Sequence, residues 1–185
     1  GTLVKTPDRE FMKDLDVLPL PDWSLADLTH YRLPFSNAPF VLVNPIRGCP
    51  YRCTFCNASV LYGRTPRHHS AQRVMEEIKN DIRSFGITDF LFWTEEFILD
   101  KEFVTELCRL IIAEDLHIRW TCNSRVDAID DDIVKTVRAA GCWNMALGIE
   151  SGNAEVLRSI KKDITLDQTI KAVTSAKKAG LQVTG

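Results

Sequence analysis

From residue 37 onward, short apolar runs alternate with longer segments whose apolar residues recur at helical spacing. This alternation restricts the fold more than any other feature of the chain. Phe40 to Asn44, Asp89 to Trp93, His117 to Cys122, Trp143 to Ile149 and Leu181 to Thr184 read as strands. Between them, Val74, Met75, Ile78, Ile82 and Phe85 mark a helix over 70–85 that Gly86 ends. Asp100 caps a second helix carrying Phe103, Val104, Leu107, Leu110 and Ile111, and Asp130 a third carrying Ile133, Val134 and Val137, stopped by Gly141. A short helix is expected near Asn153 to Ile160. Thr165 and Gln168 form a capping-box pattern opening a last helix with Ile170, Val173 and Ala176 inward, closed by Gly180. Strands and helices alternating at this length imply right-handed crossovers and a parallel sheet. Five strands cannot close a standard eight-stranded barrel. The expected fold is therefore α/β: a partial, TIM-like (β/α) barrel, truncated at its C-terminal side.

Residues 1–36 differ from the rest. Pro7, Pro19, Pro21 and Pro34 restrict this stretch to extended and turn conformations, so a linker or extension is expected, with a short helix near Ser24 to Leu28. Residues 37–185 form the core domain. The abrupt stop after Leu181-Gln182-Val183 suggests a piece of something longer. Lys and Arg number 23 against 25 Asp and Glu, a net charge of −2, which gives no basic surface for nucleic acid. The small cluster Arg64, Arg67, His68 and His69 reads as a solvated loop. No apolar run approaches the roughly 18 residues of a membrane span, and no secretory signal is visible.

In parallel α/β sheets, function collects at the C-terminal ends of the strands. Here those ends carry Arg47-Gly48-Cys49-Pro50-Tyr51-Arg52-Cys53-Thr54-Phe55-Cys56, then Thr94-Glu95-Glu96, Asn123-Ser124-Arg125 and Glu150-Ser151-Gly152. All four segments are expected on one rim. The first is a C-x3-C-x2-C loop. Thiolates are soft ligands for iron–sulfur clusters or zinc. Three local cysteines would leave one iron of a [4Fe–4S] cluster open, whereas an electron-transfer ferredoxin site uses four. Tight metal-type spacing, with Cys108, Cys122 and Cys142 scattered elsewhere, points to a reducing compartment and a cytoplasmic location rather than a disulfide scaffold.

RGCPYRCTFC, with Phe55 at the aromatic position, resembles the C-x3-C-x-aromatic-C motif of the radical S-adenosylmethionine superfamily. The resemblance extends through GCWNMALGIESGN and the helix–strand rhythm of 37–185. It implies that Cys49, Cys53 and Cys56 hold a [4Fe–4S] cluster whose open iron binds S-adenosylmethionine. One electron then cleaves the sulfonium to methionine and a 5′-deoxyadenosyl radical, which abstracts a substrate hydrogen. By the same resemblance, Glu95 or Glu96 meets the methionine ammonium, although the usual glycines of that segment are absent. Arg125, helped by Ser124, meets the carboxylate, and Glu150 the ribose hydroxyls. Asp14-Leu15-Asp16-Val17-Leu18-Pro19, Pro21-Asp22-Trp23 and Ser124-Arg125-Val126-Asp127 resemble the subgroup associated with a cobalamin-binding domain. That subgroup includes methyltransferases and the anaerobic cyclase of chlorophyll synthesis. It implies a cobalamin held outside this chain, a small-molecule substrate, and a reductase with a flavodoxin- or ferredoxin-type electron donor.

A different reading stays open on the residues alone. The cysteines could form a structural zinc knot with His68 or His69, making the chain a non-catalytic interaction module. Glu95 and Glu96 could be solvated loop carboxylates, and Arg125 could pair with Asp127 or Asp130. Cys108, Cys122, Cys142, Trp93 and Trp120 are expected in the core, and His68 and His69 at the surface.

Overall fold

The computed structural model of the chain describes residues 2–34 and 36–185; Gly1, with which the chain begins, lies outside them. In chain order the core elements are β1 (Phe40–Val43), β2 (Ile46–Arg47), α1 (Ala58–Leu61), β3 (Arg67–His68) and α2 (Ala71–Phe85). There follow β4 (Asp89–Phe92), α3 (Lys101–Ala113), β5 (Arg119–Arg125), α4 (Asp131–Ala139), β6 (Cys142–Gly148), α5 (Ala154–Ser159), α6 (Leu166–Lys178) and β7 (Gln182–Thr184). Strands β1-β4-β5-β6-β7 form one sheet in that order, and every pairing is parallel. The sheet does not close, so β1 and β7 are its edges. This is the partial α/β barrel expected from the alternation.

The strand period of two divides the sheet into faces. Val41, Val43, Phe90, Phe92, Trp120, Cys122, Met145 and Leu147 are buried together with Val74, Ile78, Leu107, Ile111, Val134 and Val137 of α2, α3 and α4. Trp120 anchors this core: its ring stacks on Phe92 at 4.8 Å, meets Phe97 edge-on at 5.5 Å, and its Nε1 donates to Ala140 O at 2.7 Å. The longer helices α2, α3, α4 and α6 begin where the sequence supplies a cap. Ser70, Asp100 and Asp130 accept from first-turn amides, and Thr165 and Gln168 form the reciprocal capping box. Cys108, Cys122 and Cys142 are buried, as expected, and burial drives the Cys108 thiol up to about 12.

Several expectations are corrected. Trp93 is 59% exposed: it follows β4 in phase with Leu91 and so sits on the face opposite the helical layer. Ile170 is 65% exposed, because α6 turns Ala172 and Ala176 to the core and leaves Ile170 outside that stripe. His69 is buried because the N-terminal stretch packs over it. Asp16 Oδ1 lies 3.2 Å from His69 Nδ1 and accepts from Ser70 N at 2.9 Å, and Arg73 Nη2 donates to Leu18 O at 2.6 Å. The helix expected at Ser24 to Leu28 is two 3-10 turns, Trp23–Leu25 and Leu28–His30. Asp27 starts the second by accepting from Thr29 N, which interrupts the first. The antiparallel ribbon β2–β3, pairing Ile46 with His68 and Arg47 with Arg67, was not foreseen. It pinches together the two ends of the cysteine loop.

A candidate iron–sulfur and nucleoside site

The cysteine loop spans 48–66, between β2 and β3. Gly48 enters it with φ +95°, and a Cβ there would fall 2.5 Å from Thr65 O, so only glycine fits the crossing. Backbone bonds then tie the loop inward: Cys49 N donates to Gly63 O at 3.2 Å, Gly48 N to Glu95 Oε2 at 3.0 Å, and Thr54 N to Ile160 O at 2.9 Å. Three different parts of the chain thus hold the segment that carries Cys49, Cys53 and Cys56.

The three thiols, with Phe55, line a cavity of about 360 Å³. Glu95, Glu96, Asn123, Ser124, Arg125 and Glu150 line it too, so the four strand ends meet on one rim. Burial pushes the Cys49 thiol up, and Glu96, Cys56 and Cys53 push it further. His68 pairs with Asp100 at 3.4 Å and His69 with Asp16, and neither lines the cavity. The donor set facing the cavity is three soft sulfurs from one loop, without an imidazole. The residues fit a cubane cluster.

The acidic residues divide by their partners. Glu96 is 1% exposed. Its Oε1 accepts from Ser124 Oγ at 2.6 Å and Ile98 N at 3.1 Å, and its Oε2 from Arg125 N. Burial raises its carboxyl, opposed by Ser124, Arg125 N and Ile98 N. Glu95 is half-buried and spends Oε2 on Gly48 N; burial raises its carboxyl as well. Glu150 holds φ +61°, a left-handed conformation costly for a residue with a Cβ, and its Oε1 accepts from Lys162 Nζ at 2.8 Å. Gly148 makes room for that pair, since a Cβ there would lie 2.5 Å from Lys162 Nζ.

Arg125 is 5% exposed. Its Nε and Nη2 grip Asp127 at 2.9 and 3.0 Å, and Nη2 also reaches Lys162 O at 2.7 Å. Its Nη1 lies 3.9 Å from Cys53 Sγ, and the Tyr51 ring centroid is 3.7 Å from its Cζ. Burial opposes the charge, but Asp127, Tyr51 and Cys53 outweigh it and hold the guanidinium pKa above its usual value.

Two lining residues, Tyr51 and Asn123, stand in segments expected on the rim without a task of their own, and Lys162 was not foreseen. Tyr51 lies inside the cysteine motif. Asn123 lies near the end of β5, two residues before Arg125, and bonds the Thr94 backbone, donating to its carbonyl at 2.7 Å and accepting from its amide at 3.3 Å. Its place at a strand end was a usable signal. Lys162 follows a short helix in a polar stretch and carried none.

Residues 43–185 match the sequence profile of the Radical SAM superfamily. An uncharacterized methyltransferase of Pyrococcus horikoshii is 35% identical over 185 residues, spanning 100% of this chain and 40% of that protein. The anaerobic magnesium-protoporphyrin IX monomethyl ester cyclase of Rubrivivax gelatinosus is 28% identical over 183 residues, 98% of this chain and 33% of that protein. The chain thus spans well under half of these relatives. Among solved structures, the radical S-adenosylmethionine methyltransferase TsrM from Kitasatospora setae, with cobalamin and a [4Fe–4S] cluster bound, shares the fold. Its TM-score is 0.70 at 20% identity, over 80% of this chain and 30% of that one. With the fold, the cysteine-lined cavity and the profile match in agreement, the chain belongs to the radical SAM superfamily of enzymes.

Proposed function

We propose that this chain is the catalytic core of a radical S-adenosylmethionine enzyme in which Cys49, Cys53 and Cys56 hold the [4Fe–4S] cluster. When bound, the cluster supplies one electron that cleaves the sulfonium C–S bond of S-adenosylmethionine, giving methionine and a 5′-deoxyadenosyl radical. The observation that carries the reading is the single cavity shared by the three thiols and the acidic ends of β4 and β6.

The residues divide the remaining work. Glu95 keeps Oε1 for a charge-assisted bond to the methionine ammonium, while its Oε2 anchors the cysteine loop through Gly48. Glu150, steadied by Lys162, keeps Oε2 for the ribose hydroxyls. Glu96 and Ser124 brace the rim by tying the loop after β4 to the end of β5. Phe55 lines the same cavity as the thiols. The kinship with a methyltransferase and a cyclase supports a small-molecule substrate and methyl transfer or cyclisation, and the likeness to TsrM with cobalamin bound supports a cobalamin held outside residues 37–185. A flavodoxin- or ferredoxin-type reductase as electron donor and a cytoplasmic location follow from the oxygen-sensitive chemistry. No described helix is long and apolar enough to cross a membrane.

The test is anaerobic reconstitution with iron and sulfide, reduction with dithionite, and chromatography after incubation with S-adenosylmethionine. The reading expects methionine release that is lost in Cys53→Ala. A folded, colourless chain that takes up one zinc and leaves S-adenosylmethionine intact would establish the structural-module alternative.

A further inference from the structure

We infer that Arg125 is a positioning residue of the cluster, donating from Nη1 to the Cys53 sulfur and holding the reduction potential up, and that it is not the clamp for the methionine carboxylate. The inference rests on the cluster reading above. An arginine has five N–H donors in a rigid fork. Here Nε–H and one Nη2–H go to Asp127, and the other Nη2–H to Lys162 O. Nη1 faces Cys53 Sγ at 3.9 Å. The Tyr51 ring covers one face of the plane, and the group is almost fully buried. The guanidinium is thus fixed by Asp127, by the loop after α5 and by the cysteine loop itself. Turning the fork to a ligand carboxylate would break a bidentate ion pair and leave Lys162 O unsatisfied.

What this geometry does to a cluster follows from charge. Asp127 neutralises the edge of the fork away from Nη1, so the pair is a dipole with its positive end at the sulfur. Reduction adds negative charge that spreads onto the thiolate sulfurs. A buried N–H donor aimed at one of them stabilises the reduced state more than the oxidised state, which raises the potential. Potential sets how hard an electron donor must work to start the reaction, so Arg125 acts on activation of S-adenosylmethionine without touching it.

The test is an EPR-monitored redox titration of the reconstituted chain beside its Arg125→Gln and Arg125→Lys variants, with S-adenosylmethionine affinity measured on each. The expected result is a lower midpoint potential in Arg125→Gln, an intermediate one in Arg125→Lys, and unchanged affinity. An unchanged potential with weakened affinity would overturn the inference and return Arg125 to the carboxylate. If neither variant builds a cluster, unsubstituted protein labelled with [15N]arginine decides. Pulsed EPR of its reduced cluster should show a weak ¹⁵N coupling, and its absence overturns the inference. A chain without substitutions that builds no cluster at all overturns the underlying reading instead, and this inference with it.

Discussion

Glu95 and Glu96 are adjacent carboxylates on one rim, and the structure separates them by what removing each would cost. Glu96→Ala takes away an acceptor that serves two backbone amides, Ile98 N and Arg125 N, and the Ser124 hydroxyl. The hydroxyl has an alternative, Arg125 O at 3.3 Å, so its loss is small. The two buried amides do not, and each costs about 1–3 kcal/mol when left unsatisfied. Loss of the buried side-chain methylenes adds about 1 kcal/mol. The sum is about 3–7 kcal/mol, a large share of the roughly 5–15 kcal/mol that holds a domain together. At about 2–4 °C per kcal/mol for a chain of this size, the melting temperature should fall by at least about 6 °C. Glu95→Ala gives up one bond from Gly48 N at a half-buried site, and about 1 kcal/mol with it. It should instead weaken S-adenosylmethionine binding. Urea and thermal unfolding of both variants, with binding to the reconstituted protein, measure the contrast. If Glu96→Ala unfolds like the parent while losing affinity, and Glu95→Ala does the reverse, the assignment of strut and ligand is refuted.

Two further predictions concern the loop and the helical layer. Gly48→Ala forces a Cβ to 2.5 Å from Thr65 O at φ +95°, so the cysteine loop should fail to close. Iron and sulfide content should drop while far-UV circular dichroism is retained, and parental iron content would contradict the argument. Glu77 is buried on α2, and burial with nearby Asp81 raises its carboxyl to about 7, against the partial relief of Arg73 and Arg47. The folded chain therefore holds a proton that the unfolded chain has released. Stability falls as pH rises from about 4.5 to about 7, by up to about 3 kcal/mol at about 1.4 kcal/mol per pKa unit. Glu77→Gln should be more stable than the parent at pH 8, with the difference gone near pH 4.5. Equal pH profiles from urea titrations would show that Glu77 is not the source.

The parts of the fold legible in the sequence were those with local causes. Caps at Asp100, Asp130 and Thr165 lie beside the residues they serve, and strand and helix periods repeat within each element. Errors came where a distant segment decides burial. His69 looks like a surface residue until Asp16, far away in the chain, packs on it. Trp93 looks like core because its strand is aromatic, yet strand phase puts it on the other face. The rim was legible because strand ends converge in any parallel sheet, which brought Cys49, Glu95, Arg125 and Glu150 together. The division of labour on it was not. Which of two adjacent glutamates is buried, and that Lys162 steadies Glu150, depend on side-chain packing without a sequence period.

The central claim is that three thiols hold a cluster with one iron open to S-adenosylmethionine. The direct measurement is the EPR spectrum of the anaerobically reconstituted, dithionite-reduced chain with and without S-adenosylmethionine. The account predicts a [4Fe–4S]⁺ signal that changes on adding S-adenosylmethionine and is absent in Cys53→Ala. A folded chain whose cluster signal is identical with and without S-adenosylmethionine would contradict it.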